Sequence, residues 1–285
     1  TLTPRIAPVA GTAHATFSCL LQDGAGVLHV TKNGSGLQTV WGNNTYTGAT
    51  TINGSGILAV EMLAGGGQPS SIGASASAAP YLVFGGASVA ANTGLFGGLS
   101  YFGSQSIETD RLFTFAGTAP NSGARVLSNG LYSLSTATQN NAALIFTNTA
   151  PLAFATRNVE QGLSLGGNST GDNRFGPQIT DNGTGRVSLF KLDVGLWHLD
   201  NAANGYTGVT TVASGAALQI GNNGASGAIT GSVVNSGLLA FSRNNVLTYG
   251  GIISGSGAVS VNNGMTLILT GASKWVSPPT MPAPG

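Results

Sequence analysis

The string NTYTGATTINGSGILAV, residues 44–60, returns without a gap as NGYTGVTTVASGAALQI at residues 204–220, an offset of 160. Tyr46, Thr47, Gly48, Thr50, Thr51 and Leu58 meet Tyr206, Thr207, Gly208, Thr210, Thr211 and Leu218. The likeness extends backwards at an offset of 159, where Gly24, Gly26, Lys32, Gly36 and Leu37 meet Gly183, Gly185, Lys191, Gly195 and Leu196. A partial third copy, SGSGAVSVNNGMTLILTGAS, fills residues 254–273 and runs into a proline-rich end. Repetition on this scale constrains architecture before any local motif does, because each copy must solve the same burial problem.

The copies share parity as well as letters. Leu28 and Val30 match Val187 and Leu189, and Ile52, Leu58 and Val60 match Val212, Leu218 and Ile220. Residues two apart lie on one face of a strand. Between these apolar pairs stand strings such as NGSG (33–36 and 53–56), whose residues accept the positive φ of tight turns. Further pairs, such as Leu82/Phe84, Leu144/Phe146 and Leu239/Phe241, carry the rhythm between the copies. Many short strands with glycine-rich turns fit either a β-sandwich or barrel, or a solenoid. Repetition favours the solenoid, in which each coil buries its apolar face against the next. At about 20–25 residues per coil the chain predicts an all-β rod of roughly 11–14 coils, about 50–65 Å long.

Composition agrees. Charged residues are only 7% of the 285, against about 25% in an average domain, while 41% are hydrophobic and 45 are glycine. Stacked strands place like residues above one another, so ladders of Thr, Asn and small apolar groups are tolerated where ladders of like charge would repel. A net charge of +1 leaves no electrostatic footprint for nucleic acid or an anionic membrane. The single cysteine, Cys19, permits no internal disulfide and reads as a buried small apolar residue. The chain has no initiator Met and no signal-like opening, and reads as a piece of something longer.

Residues 23–273 resemble the autotransporter-associated β-strand repeat of passenger regions in type V secreted bacterial proteins. The strings that carry the resemblance are GAGVLHVTKNGSGLQTVWGNNTYTGATTINGSGILAV, LAGGGQPSSIGASASAAPYLVFGG, TDRLFTFAG, ALIFTNTAPLAF, LSLGGNSTGDN, GLWHLDNAANGYTGVTTV and LTYGGIISGSGAVSV, in that order. The resemblance implies a single right-handed parallel β-helix, export through the periplasm to the bacterial cell surface or beyond, and an outer-membrane β-barrel that lies outside this sequence. It carries no catalytic residues over. The expected organisation is an N-terminal cap segment (1–22), the passenger coils (23–273) and a Pro-rich tail or linker (274–285).

Motifs for chemistry are sparse. GNSTG (167–171) matches a nucleophile elbow, but no helical pattern follows, so a coil turn is the simpler reading. His14, His29 and His198 lack metal-ligand spacing, and neither a metal nor a cofactor is expected. Glu108 and Asp110 would share one face of a strand and are the candidate carboxylates if the rod is an enzyme; Asp110 and Arg111 stand in the string TDRLF that carries the resemblance, and a corner ion pair is the simpler reading. A second, looser set is Asp172, Arg174 and Asp181. Trp41 and Trp197 are candidate binding aromatics, whereas Tyr46 and Tyr206, at matched positions, suggest repeated packing. The reading that follows is a non-enzymatic surface scaffold for adhesion, aggregation or matrix contact, with a host or neighbouring-cell surface, a matrix, a glycan or a second copy as partner. The alternatives are a subunit of an extracellular filament or surface layer, and a carbohydrate-active enzyme on the same fold.

Overall fold

The computed structural model describes residues 5–6, 15–86, 88–91, 93–130, 132–133, 138–139, 141–262, 264–272 and 274–275. His14 and the prolines at 278, 279, 282 and 284 lie outside them. Regular structure among the described residues is strand throughout, apart from one 3-10 turn, Ala79–Tyr81. The strands stack coil upon coil. An eleven-stranded sheet runs from Ala15–Phe17 through Leu37–Val40, Ile57–Val60, Gly98–Tyr101, Ser122–Ser128, Gln161–Gly166, Val187–Lys191, Thr210–Val212, Val233–Asn235 and Ile253–Gly255 to Lys274–Trp275. This is face two of the rod. Face one is a six-stranded sheet from Arg5–Ile6 to Ala153–Phe154, and face three a seven-stranded sheet from Ile107–Thr109 to Ala258–Val261. Pairing along all three faces is parallel, the antiparallel exception among named strands being the Tyr132–Ser133 and Thr138–Gln139 hairpin. The chain is a parallel β-solenoid, and eleven strands on face two place it within the expected range of coils.

Alternation decides which side chains enter the core. In Thr50–Asn53 the burial pattern makes Thr50 and Ile52 internal and leaves Thr51 and Asn53 half-exposed. Register then stacks the internal residues into columns. On face three Asn173, Trp197, Leu218 and Leu239 align, as do Phe146, Phe175, Leu199, Ile220 and Phe241. Aromatic rings link the columns across the interior: Phe113 lies edge-on to Phe84 at 5.0 Å and 6.2 Å from Phe175.

The recurring YTG string is a clamp on three coils. Asn44 accepts the Leu21 N–H of the preceding coil at 2.8 Å and donates to the Ser71 carbonyl of the following one. Asn204 does the same to Ile179 and Ala228. Asp23 binds the Leu28 N–H and both the N–H and hydroxyl of Thr47; Asp181 binds those of Val187 and Thr207. The phenols of Tyr46 and Tyr206 are buried against the hydroxyls of Thr50 and Thr210. A Cβ at Gly48 or Gly208 would overlap the backbone carbonyl of Leu28 or Val187, so close approach of coils requires glycine there. The lysines at the matched positions of the two copies are equivalent too. Lys32 and Lys191 point inward and donate to the turn carbonyls of Asn33 and Gly34, and of Leu192 and Asp193.

The two copies nevertheless sit on different faces. Thr50–Asn53 and Ile57–Val60 lie on faces one and two, whereas Thr210–Val212 and Ala217–Gly224 lie on faces two and three. The offset of 160 therefore corresponds to whole coils plus one face. Every face turns the same apolar parity toward the interior, so the clamp works wherever the coil has advanced to.

Most coils are short, from the step that pairs Leu37 with Ile57 to the one that pairs Gly98 with Arg125. Two are longer, joining Ile57 to Gly98 and Ser122 to Gln161. Their extra residues leave the wall, and the first of them shapes the outer surface of face two.

Candidate functional site

The outward residues of face two form a groove over its first five strands. Leu37, Thr39 and Trp41 come from one coil, Ile57 and Ala59 from the next, Ser100 and Phe102 from the third, and Leu127 and Asn129 from the fourth, with Thr16 and Ser18 at the open end. Register sets the floor and walls. Thr39, Ala59, Ser100 and Leu127 align as a mostly small-residue floor. Leu37 and Ile57 flank it on one side. Trp41 and Phe102 flank it on the other, in edge-to-face contact at 5.0 Å and 75°. Backbone hydrogen bonds from Trp41 N to the Phe17 carbonyl and from Phe102 N to the Val60 carbonyl hold these rings at the strand ends. Asn129 Nδ2 donates to Ser100 Oγ at 2.8 Å. The groove encloses about 760 Å3 and no charged side chain lines it.

Further along the same face, the extra residues of the first long coil lie over the sheet. Ser88 Oγ donates to the Pro120 carbonyl, Val89 N to the Asn121 carbonyl, and Ser164 Oγ to the Gly94 carbonyl. Phe96 rests over Gly162 and meets Phe190 edge-on at 5.8 Å. Any Cβ at Gly162 would enter the Phe96 ring, so a glycine there makes the seat. This arm leaves the first five strands open.

The two carboxylates that would be candidates only if the rod were an enzyme stand in different surroundings. Glu108 faces outward beside Ile145, but Asp110 lies past the strand end and accepts the Gly66 N–H at 2.7 Å. Arg111 is buried and donates to the carbonyls of Ala64 and Gly73 and to Ser75 Oγ, so it ties down the long coil and is not the partner of Asp110 in a corner ion pair. Asp172 and Arg174 do pair, with His198 Nε2 3.2 Å from Asp172 Oδ1. The Arg174 hydrogen bond lowers the Asp172 pKa. Burial lowers that of His198 and raises that of Asp200. Asp181 stands apart from this cluster, in the clamp. Ser169 of the GNSTG turn is buried and donates to the Ala142 carbonyl. Among the described residues no three His, Cys, Asp or Glu side chains are grouped to hold a metal ion.

The two candidate tryptophans part company. Trp41 stands in the groove wall. Trp197 is fully buried, its Nε1 donating to the Gly166 carbonyl at 2.9 Å, and is a core residue rather than a surface aromatic. The aligned position of the first copy is Gln38, which is equally buried. Cys19 is exposed, not buried, just beyond the end of Ala15–Phe17. The groove itself has no signature within any single repeat, since its walls come from successive coils.

The profile of the passenger-associated-transport-repeat family matches residues 30–60 and 179–220, which contain the YTG strings of the two clamps. The chain is 39% identical, over 239 residues and 84% of its length, to the adhesin BmaC autotransporter of Brucella suis biovar 1 (strain 1330). It belongs to the autotransporter passengers. The passenger segment spans about 6% of that relative's length. No solved structure matches it. As passenger sequence it is exported to the bacterial cell surface or the extracellular space.

Proposed function

We propose that this passenger segment is an adhesive rod, a non-enzymatic scaffold whose contact surface is the open half of face two. The observation that carries the reading is the uncharged groove with Trp41 and Phe102 along one wall. Aromatic groups at the centre of a concave apolar patch are the side chains that dominate protein contacts. Similarity to an adhesin supports the same reading. A rod suits this task because it holds the patch away from the membrane, and many weak contacts along many rods add by multivalency.

Beads coated with the segment test it. Adhesion to cultured host cells or to extracellular matrix is expected, and a Trp41→Ala/Phe102→Ala variant is expected to lose about tenfold or more of the retained beads, for the loss of two central aromatic anchors. Equal adhesion by the variant, with an unchanged circular dichroism spectrum, would remove the groove from the contact.

A further inference from the structure

The groove and the arm occupy one continuous face, and the arm shows what that face accepts. It is a polypeptide segment that turns at Ala90, where the Thr93 N–H returns to the Ala90 carbonyl, and that offers the Gly94 carbonyl to a face-two hydroxyl (Ser164). Its aromatic side chain (Phe96) sits over a residue without a side chain (Gly162), edge-on to a ring of the face (Phe190). The open half repeats these features. Ala59 and Ser100 make a small floor, Ser100 brings a hydroxyl, and Trp41 and Phe102 bring edge-to-face rings.

We infer that the groove binds an extended, uncharged polypeptide segment carrying a large apolar side chain, supplied by a protein on the surface to which the rod adheres. This deepens the adhesive reading and rests on it. Four features fix the occupant. Five strands stacked at about 4.8 Å give a floor about 20 Å long, enough for about six extended residues at roughly 3.3 Å each. The lining has no charge to pair with an ionic ligand. Its polar groups are few and two of them, Asn129 and Ser100, are bonded to each other, whereas a sugar ring presents hydroxyls on every edge. And the existing occupant of the same face, a few strands on, is polypeptide.

The probe is a synthetic peptide copying the arm, SVAANTGLFGG (residues 88–98), titrated against the whole segment and followed by tryptophan fluorescence and calorimetry. Saturable binding is expected. Ala59→Arg, which fills the floor, and Trp41→Ala, which removes a wall, are each expected to weaken it by about tenfold or more. Replacing the peptide's phenylalanine by serine is expected to weaken it similarly. Unchanged melting temperatures separate these losses from unfolding, and having two variants guards against one that fails to fold. Binding that both variants leave intact would overturn the site. Trp41-dependent binding of a neutral oligosaccharide such as cellohexaose, with no binding of the peptide, would overturn the occupant. If coated beads adhere through Trp41 while the peptide does not bind, the polypeptide assignment falls and the adhesive surface stands. If the peptide binds while bead adhesion ignores the groove, the occupant is upheld and the adhesive role of the groove falls.

Discussion

A Trp197→Ala variant is expected to lose about 3–5 kcal/mol of stability in urea or thermal unfolding, the range for deleting a fully buried aromatic side chain. Trp197 is 0% exposed and stacks between Asn173 and Leu218. Its indole N–H crosses from face three to the Gly166 carbonyl of face two. Truncation opens a cavity and also leaves that carbonyl without its donor. Trp197→Phe keeps most of the volume and loses the hydrogen bond, so it should cost less, about 1–3 kcal/mol. In a solenoid each coil leans mainly on its neighbours. The damage should therefore be local: amide exchange is expected to accelerate most in strands Gln161–Gly166 and Ala217–Gly224, and least in Val30–Lys32. Uniform acceleration along the rod would mean that the coils unfold as one unit.

Stability should also rise with pH between about 8 and 10, and Lys191 should be the main cause. The side chain is 0% exposed and is satisfied by two turn carbonyls. Burial pushes its pKa down to about 8, against partial compensation from Asp193. The unfolded chain titrates at the ordinary lysine value, about 10.4. Below pH 8 both states carry the proton, and the folded state bears the full cost of the buried charge. Between the two values the unfolded chain keeps the proton while the folded chain has released it. Stability therefore climbs, by up to about 1.4 kcal/mol per pH unit and on the order of 3 kcal/mol in all. Burial moves Lys32 in the same direction. Tyr46 and Tyr206 act oppositely, since burial lifts their phenols above the ordinary range, but that loss starts only above about pH 10. Urea midpoints across pH 7–10 check the slope, and Lys191→Met should flatten most of it. A wild-type curve without the rise would mean that Lys191 reaches water.

The sequence made the architecture legible because parity survives where identity does not. The alternation at Leu28/Val30 and Ile52/Leu58/Val60 is repeated at the second copy, and strands form at those positions except at Leu28, which precedes the strand Val30–Lys32. Tyr46 and Tyr206 were readable as packing residues because they recur together with Thr50 and Thr210, the hydroxyls they bind. An aromatic residue on a strand, such as Trp197, gives no sign of which side it faces, and its polar counterpart in the first copy, Gln38, gives none either, although both are internal. The lysines hid for a similar reason: an inward Lys looks like a surface charge unless the turn carbonyls that hold it are in view. The groove and the arm were least legible, since both arise from stacking. Thr39, Ala59 and Ser100 are ordinary small residues in three separate coils and become a floor only when register aligns them. The one-face offset between copies was equally hidden, because the spacing of two strings does not say how many residues each intervening coil consumes.

The most direct test of the stacked, face-shifted spiral is disulfide mapping of paired cysteines in a Cys19→Ser background. Thr31 and Thr51 are partners on face one, and Thr211 and Val234 on face two, all four at outward or partly exposed positions. Neighbouring strands about 4.8 Å apart lie within disulfide reach. Mild oxidation should link Thr31→Cys to Thr51→Cys, and Thr211→Cys to Val234→Cys, with the circular dichroism spectrum unchanged. Failure of both ladder pairs to form under the same oxidation, with the circular dichroism spectrum unchanged, would contradict the spiral.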